Sequence, residues 1–196
     1  SSGRSGCSRA PAFGQAARNC GHTQHLRRHS GGGEANAMTA GVAERFYSAF
    51  AARDWRTMGR LYADDARFSD PAFPDLDAGQ VRAMWRMLIS RGTDLSLQYR
   101  VVDETDDAAS VRWTARYTFT QTGRPVVNEI NATLVLRDGA IVRHVDAFDF
   151  HRWARQALGV PGLLLGWTPY FRRAVQGKAR AGLRQFMQRL DQDEPR

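Results

Sequence analysis

Lysine is almost missing from this chain: among 28 basic side chains, Lys178 is the one lysine and the rest are arginine. Such usage, beside 18 glycines, reflects a GC-rich genome more simply than a surface built to hold phosphates. Cysteine is confined to Cys7 and Cys20 near the N-terminus. The remainder of the chain therefore has no disulfide framework and fits a reducing cytoplasm. Long apolar runs are lacking as well. The best stretch, Val160 to Trp167, is interrupted by Pro161, Gly162 and Gly166, far short of the ~20 residues that span a bilayer as a helix.

The net charge of +8 raises the question of nucleic acid, and its distribution answers it. Residues 1–37 hold five Arg and one Glu, residues 38–149 fourteen Arg against sixteen acids, and residues 150–196 nine basic residues against three acids. The excess lies at the two ends, while the body is slightly acidic. A groove reader would carry its basic stripe on the folded body, so no nucleic-acid partner is expected. At 196 residues the chain affords one ordinary domain, and a second would be cramped.

Three segments follow. Residues 1–37 are rich in Ser, Gly and Arg and are expected to be a disordered tail, with an Arg-rich transit peptide as the other reading. Cys7, Cys20, His22, His25 and His29 lie there, but not at the paired spacing of a structural zinc site, so no metal is expected. Residues 38–150 read as the domain and 151–196 as a C-terminal helical extension.

Within the domain, Thr39 is a candidate N-cap for a helix with Val42, Phe46, Ala49 and Phe50 on one face. Asp54 caps a second, carrying Trp55, Met58, Leu61 and Tyr62. A third follows Gly79, with Val81, Met84, Trp85, Leu88 and Ile89, and ends near Gly92. The period then changes to two. Leu95, Leu97, Tyr99 and Val101 alternate with polar residues, and so do Val111, Trp113, Ala115, Tyr117 and Phe119. A further strand covers Val126 to Leu136, and Asp138-Gly139 turns it into another from Ala140 to Phe150. Three helices before an antiparallel meander give an α+β fold with helices on one face of a curved sheet. Thr168-Pro169 starts a last helix with an apolar stripe at Phe171, Val175, Ala179, Gly182, Leu183, Phe186 and Leu190 and a basic remainder. That helix either docks on its own domain or meets a membrane surface or partner, and docking is the simpler reading.

The run Tyr62-Ala63-Asp64-Asp65-Ala66-Arg67-Phe68-Ser69-Asp70-Pro71 resembles the first-strand segment of ketosteroid isomerases. The segment Arg137-Asp138-Gly139-Ala140-Ile141-Val142-Arg143-His144-Val145-Asp146-Ala147-Phe148-Asp149 resembles the final hairpin of SnoaL-like polyketide cyclases and limonene-epoxide hydrolases. These families share the nuclear transport factor 2-like fold, so the resemblance implies an α+β cone with three N-terminal helices on the concave face of its sheet. It implies a homodimer formed through the outer sheet face, and it places Asp70 at the general base of the isomerases and Asp146 at the last-strand acid of the cyclases. Phe46 occupies the isomerases' oxyanion tyrosine position, with Tyr47 turned ~100° away on the helix. Asn131 or Ala132 stands where their second acid would be, which removes steroid isomerisation. The epoxide hydrolases' Arg–Asp pair is also incomplete, since Arg112 and Arg116 have no carboxylate on their strand.

A carboxylate in an aromatic cavity has its charged form disfavoured, which moves its proton affinity toward the range used in catalysis. Asp70, between Phe68 and Phe73 and near Met84 and Trp85, is one candidate; its alternative is an Asx turn ahead of Pro71. Asp146 shares a strand face with Val142, His144 and Phe148, which is either a pocket wall or a solvent or dimer face. Tyr47, Tyr62 and Trp113 are candidate lining residues, and the Gly159 to Trp167 segment a candidate closure of the cone. The expected ligand is a small hydrophobic molecule, handled without metal or organic cofactor by a cytoplasmic isomerase, cyclase or hydrolase using Asp70 or Asp146 as general acid–base. The alternative is a non-catalytic ligand-binding or assembly domain whose acids face solvent or bond to backbone.

Overall fold

The computed structural model describes residues 40–193. The predicted tail, its cysteines and histidines, and Thr39 lie outside the described residues. Helix α1 (Val42–Ala51) buries Val42, Phe46, Tyr47, Ala49 and Phe50 on one side. Its N-cap is Gly41, which has no capping side chain. The carboxylate of Glu104 supplies the missing acceptor, taking the Ala43 N–H at 2.9 Å, so a tertiary contact satisfies an end the local sequence leaves open. Asp54 caps α2 (Trp55–Arg60), its side chain accepting from the Thr57 N–H at 3.0 Å.

Helix α2 stops one residue before β1 (Tyr62–Ser69), so Tyr62 opens a strand instead of closing a helix. The short β2 (Leu76–Asp77) leads into α3 (Ala78–Arg91) through a capping box in which Asp77 and Gln80 bond each other's backbone N–H. That box starts α3 ahead of Gly79.

Strands β3 (Ser96–Glu104), β4 (Ala108–Phe119), β5 (Arg124–Arg137) and β6 (Ala140–Ala147) form the expected antiparallel meander. Asp138 and Gly139 turn β5 into β6 with φ of 52° and 73°, the left-handed pair a two-residue hairpin requires. The sheet order is β2-β1-β6-β5-β4-β3, and the sheet is curved and unclosed. One pairing departs from the meander: β1 lies parallel to β6. Alternation along a strand reports its faces and says nothing of its direction, so this pair was not legible.

The main core joins α1, α2 and α3 to the inner sheet face through Phe46, Tyr47, Phe68, Trp85, Leu134 and Ile141. The outer face of β3–β5 is polar, with Arg100 opposite Arg112 and Arg112 opposite Asn131.

Strand β6 ends at Ala147 because Asp149 caps α4 (Phe150–Leu158), accepting the Arg152 N–H at 3.0 Å. Helix α4 is fixed on β5 by Gln156, whose amide accepts from Val127 N–H at 2.9 Å and donates to Val127 C=O at 3.1 Å. The expected closing loop contains a helix, α5 (Val160–Leu165). Helix α6 (Pro169–Asp193) begins with the Thr168 hydroxyl accepting the Phe171 N–H at 3.2 Å. It buries Leu183 in the main core, and Gln176 donates to the Pro71 carbonyl at 3.0 Å.

Candidate functional site

Asp70 follows the last residue of β1. Its Oδ1 accepts the N–H of Ala72 at 2.7 Å and the N–H of Phe73, while its own N–H donates to the Phe73 carbonyl at 2.8 Å. That is an Asx turn of the kind an Asp-Pro sequence favours. Both bonds fall on Oδ1, so among the described residues no protein donor is bonded to Oδ2. Burial raises the carboxyl to about 7, the Asp146 charge adds to the rise, and the two backbone N–H groups oppose it. The group is half-buried because it meets a cavity.

On β6, Ile141, His144 and Asp146 are buried. Val142 is an extra, unpaired residue of β6, since Leu136 pairs with Ile141 and Val135 with Arg143. This bulge shifts the alternation, so His144 and Asp146 point inward while Val142 is left half-buried. Asp146 Oδ1 receives the His144 Nε2 at 3.1 Å and the Trp113 Nε1–H at 3.3 Å. A carboxylate only accepts, so His144 carries its proton on Nε2 and accepts at Nδ1. The donor there is the Tyr62 hydroxyl at 2.6 Å, and Tyr62 in turn accepts the Trp85 Nε1–H at 3.0 Å. The chain runs one way, from Trp85 through Tyr62 and His144 to Asp146. The Tyr47 hydroxyl sits at 3.5 Å from His144 Nε2, too long to weigh heavily.

Aromatic rings seal the histidine. Phe46 and Phe68 meet it edge-on at 5.5 and 5.1 Å, and Trp85 stacks on it at 6.2 Å. Burial, assisted by the Asp146 charge, pushes the Tyr47 phenol well above its ordinary range. Burial does the same to Tyr62 and outweighs the opposing Trp85 hydrogen bond. Both hydroxyls stay protonated.

A cavity of about 620 Å³ lies between the inner sheet face, α3 and the C-terminal helices. Asp70 and Asp146 both open into it, with Phe73, Met84, Trp85 and Trp113 among the lining residues. Tyr47, Tyr62, Phe68 and His144 do not line it; they are buried behind it. A shallower hollow of about 540 Å³ on the outer face, among Arg100, Arg112, Glu129 and Asn131, gathers neither carboxylate. Among the described residues no three His, Cys, Asp or Glu side chains come together as a metal site would need.

The sequence matches the SnoaL-like domain family over residues 43–144, from α1 into β6. The chain belongs to that family. No curated protein matches it. Solved structures of the same fold include a candidate polyketide cyclase from Xanthomonas campestris, at 19% identity and TM-score 0.51 over 59% of this chain and 93% of that one. Another is a candidate polyketide cyclase from Silicibacter, at 18% identity and TM-score 0.52 over 59% and 91%. A third is a protein of ketosteroid isomerase-like fold from Catenulispora acidiphila in complex with trimethylamine, at 15% identity and TM-score 0.52 over 65% and 97%.

The SnoaL-like match ends two residues before Asp146 and leaves out α4–α6. Yet Pro161, Phe171, Val175 and Lys178, from those outer elements, line the cavity. Two polar lining residues of this SnoaL-like site, Tyr117 and Asn128, were not among the sequence candidates. Alternation could have found both, since Tyr117 is in phase with Trp113 on β4 and Asn128 with Ile130 on β5. Tyr117 accepts the Trp153 Nε1–H at 2.9 Å, and burial raises its phenol, with the Asp70 charge adding.

Proposed function

We propose that this SnoaL-like protein binds a small, largely apolar carbonyl compound in the cavity and moves a proton on it with Asp70, without a cofactor. The observation that carries the reading is that two carboxylates, Asp70 and Asp146, open into one cavity whose other walls are mainly apolar and aromatic. Asp70 is the proton-transfer group, because its proton affinity near 7 matches working pH and its Oδ2 is bonded to no protein donor. Asp146 is held by Trp113 and His144, and it orients the ligand or returns the proton. The Asn128 amide and the Tyr117 hydroxyl are neutral donors available to an oxyanion. The proton leaves a carbon beside the carbonyl for Asp70, giving an enolate, and returns to carbon or oxygen as the product requires.

Incubation in D₂O with a panel of cyclic ketones and β-dicarbonyl compounds tests this, with α-carbon exchange read by proton NMR. Exchange above buffer, lowered about a hundredfold or more in Asp70→Asn, is expected. A panel that neither binds nor exchanges would sink the reading. The second reading, a ligand-binding domain without chemistry, is favoured by the backbone bonds of Asp70. It predicts binding without exchange and an unaltered Asp70→Asn variant.

A further inference from the structure

Among the described residues, most of the exposed large apolar side chains are at α5 and its junction with α6. Val160, Leu163, Leu164, Leu165, Trp167 and Tyr170 are 47–83% exposed. The exposure is built in. A Cβ on Gly162 would overlap the Ala154 carbonyl, so α5 rests directly on the backbone of α4. His151 and Trp167 bond the carbonyls of Leu163 and Leu164, each at 3.1 Å. The three successive leucines spread over about 200° of the helix. A protein groove takes one face of a helix, whereas a lipid interior accepts apolar groups all round. Trp167 and Tyr170 are the side chains that favour the boundary between lipid and water.

The adjoining helix settles the charge of the partner. Arg173, Arg180 and Arg184 of α6 are exposed and lie within about 80° of Tyr170 around the helix, and its acids, Asp191 and Asp193, are at the far end. A second copy related by a two-fold axis would set these arginines against themselves.

We infer that α5, Trp167, Tyr170 and the basic face of α6 form a docking surface for an anionic lipid bilayer. The contact is peripheral, since no helix among the described residues is long and apolar enough to cross a membrane. Leu163, Leu164 and Trp167 insert, and the arginines lie over the headgroups. Pro161 and Phe171, which belong to this segment, also line the cavity, so the docked segment forms part of the cavity wall. The surface stands independently of any reaction in the cavity.

The test is co-sedimentation of the full chain with phosphatidylglycerol–phosphatidylcholine vesicles and with pure phosphatidylcholine vesicles. Binding to the anionic vesicles at low salt is expected, falling about tenfold or more on neutral vesicles, at high salt, or in a Leu163→Glu/Leu164→Glu variant. Quenching of tryptophan emission by brominated lipid, lost in Trp167→Phe, reports insertion without relying on a charged variant. Absence of binding to anionic vesicles at low salt overturns the inference, as does equal binding by the Glu variant. A dimer seen by light scattering and dispersed by the Glu variant, without vesicle binding, assigns the surface to a second copy and also overturns it.

Discussion

Asp70 combines two roles that the sequence set against each other, an Asx turn and a cavity wall. Its raised proton affinity has a stability consequence whose sign is unusual for a carboxylate. From an ordinary value of 3.8 it rises to about 7 in the fold, so between those limits the folded protein binds more protons than the unfolded one. Its contribution therefore worsens as pH climbs from about 4 to 7 and stays unfavourable above. Asp70→Asn keeps an oxygen for the Ala72 and Phe73 N–H groups and removes the titration. At pH 8 this variant should be more stable than the parent, on the order of 2 kcal/mol after allowing for water in the cavity. At pH 4 the gain should vanish, and thermal melts at the two pH values read the difference. A second residue-scale outcome concerns Tyr62→Phe. Removing its hydroxyl leaves the Trp85 N–H and the His144 Nδ1 without partners, and the cost should be about 1–3 kcal/mol by urea unfolding.

Among the elements, α4 and α5 meet at the tightest crossing. Gly162 lets the backbone of α5 lie on Ala154, and any Cβ there collides with a carbonyl that cannot rotate away. Gly162→Ala should cost about 1–3 kcal/mol and speed amide exchange in α5 before α1–α3. The elements that sequence patterning revealed are those whose signal is local. Asp54 announced α2, the two-residue alternation around Trp113 announced β4, and Asp138-Gly139 announced the last hairpin. Hidden elements depended on distant partners. The α1 cap comes from Glu104, the parallel β1–β6 pair is set by chain crossing, and α5 holds a Pro-Gly pair that reads as a loop until α4 supports it. The candidate site divides in the same way. Family likeness singled out Asp70 and Asp146 as separate candidates without placing them together, whereas Tyr62 and His144 looked like lining and proved to be a hydrogen-bonded chain behind the cavity. That distinction depends on depth from the sheet face, which periodicity alone does not encode.

At the scale of the molecule, the C-terminal helices connect fold, cavity and surface. Helix α6 reaches over the turn after β1, where Gln176 bonds Pro71, the residue next to Asp70, and it is pinned by Leu183 in the main core. Arg91 lies over the Phe186 ring at 5.8 Å, a further tie to α3. Wall residues Val175, Ala179 and Gly182 come from this helix, so the apolar surroundings of Asp70 depend on its docking. Leu183→Asp places a charge in that buried seat and should release α6 while leaving the sheet and α1–α3 assembled. Two results should then appear together. Trypsin should cut at the arginines of α6 about tenfold faster or more, because local opening exposes them in proportion to the lost docking free energy. The pH dependence that Asp70 imposes on stability should also flatten, since water admitted through the missing wall returns its carboxyl toward the ordinary range. Fast cleavage with an unchanged pH dependence would show that the β1 turn alone sets the Asp70 environment, and the cavity would then owe its chemistry to the SnoaL-like body without α6.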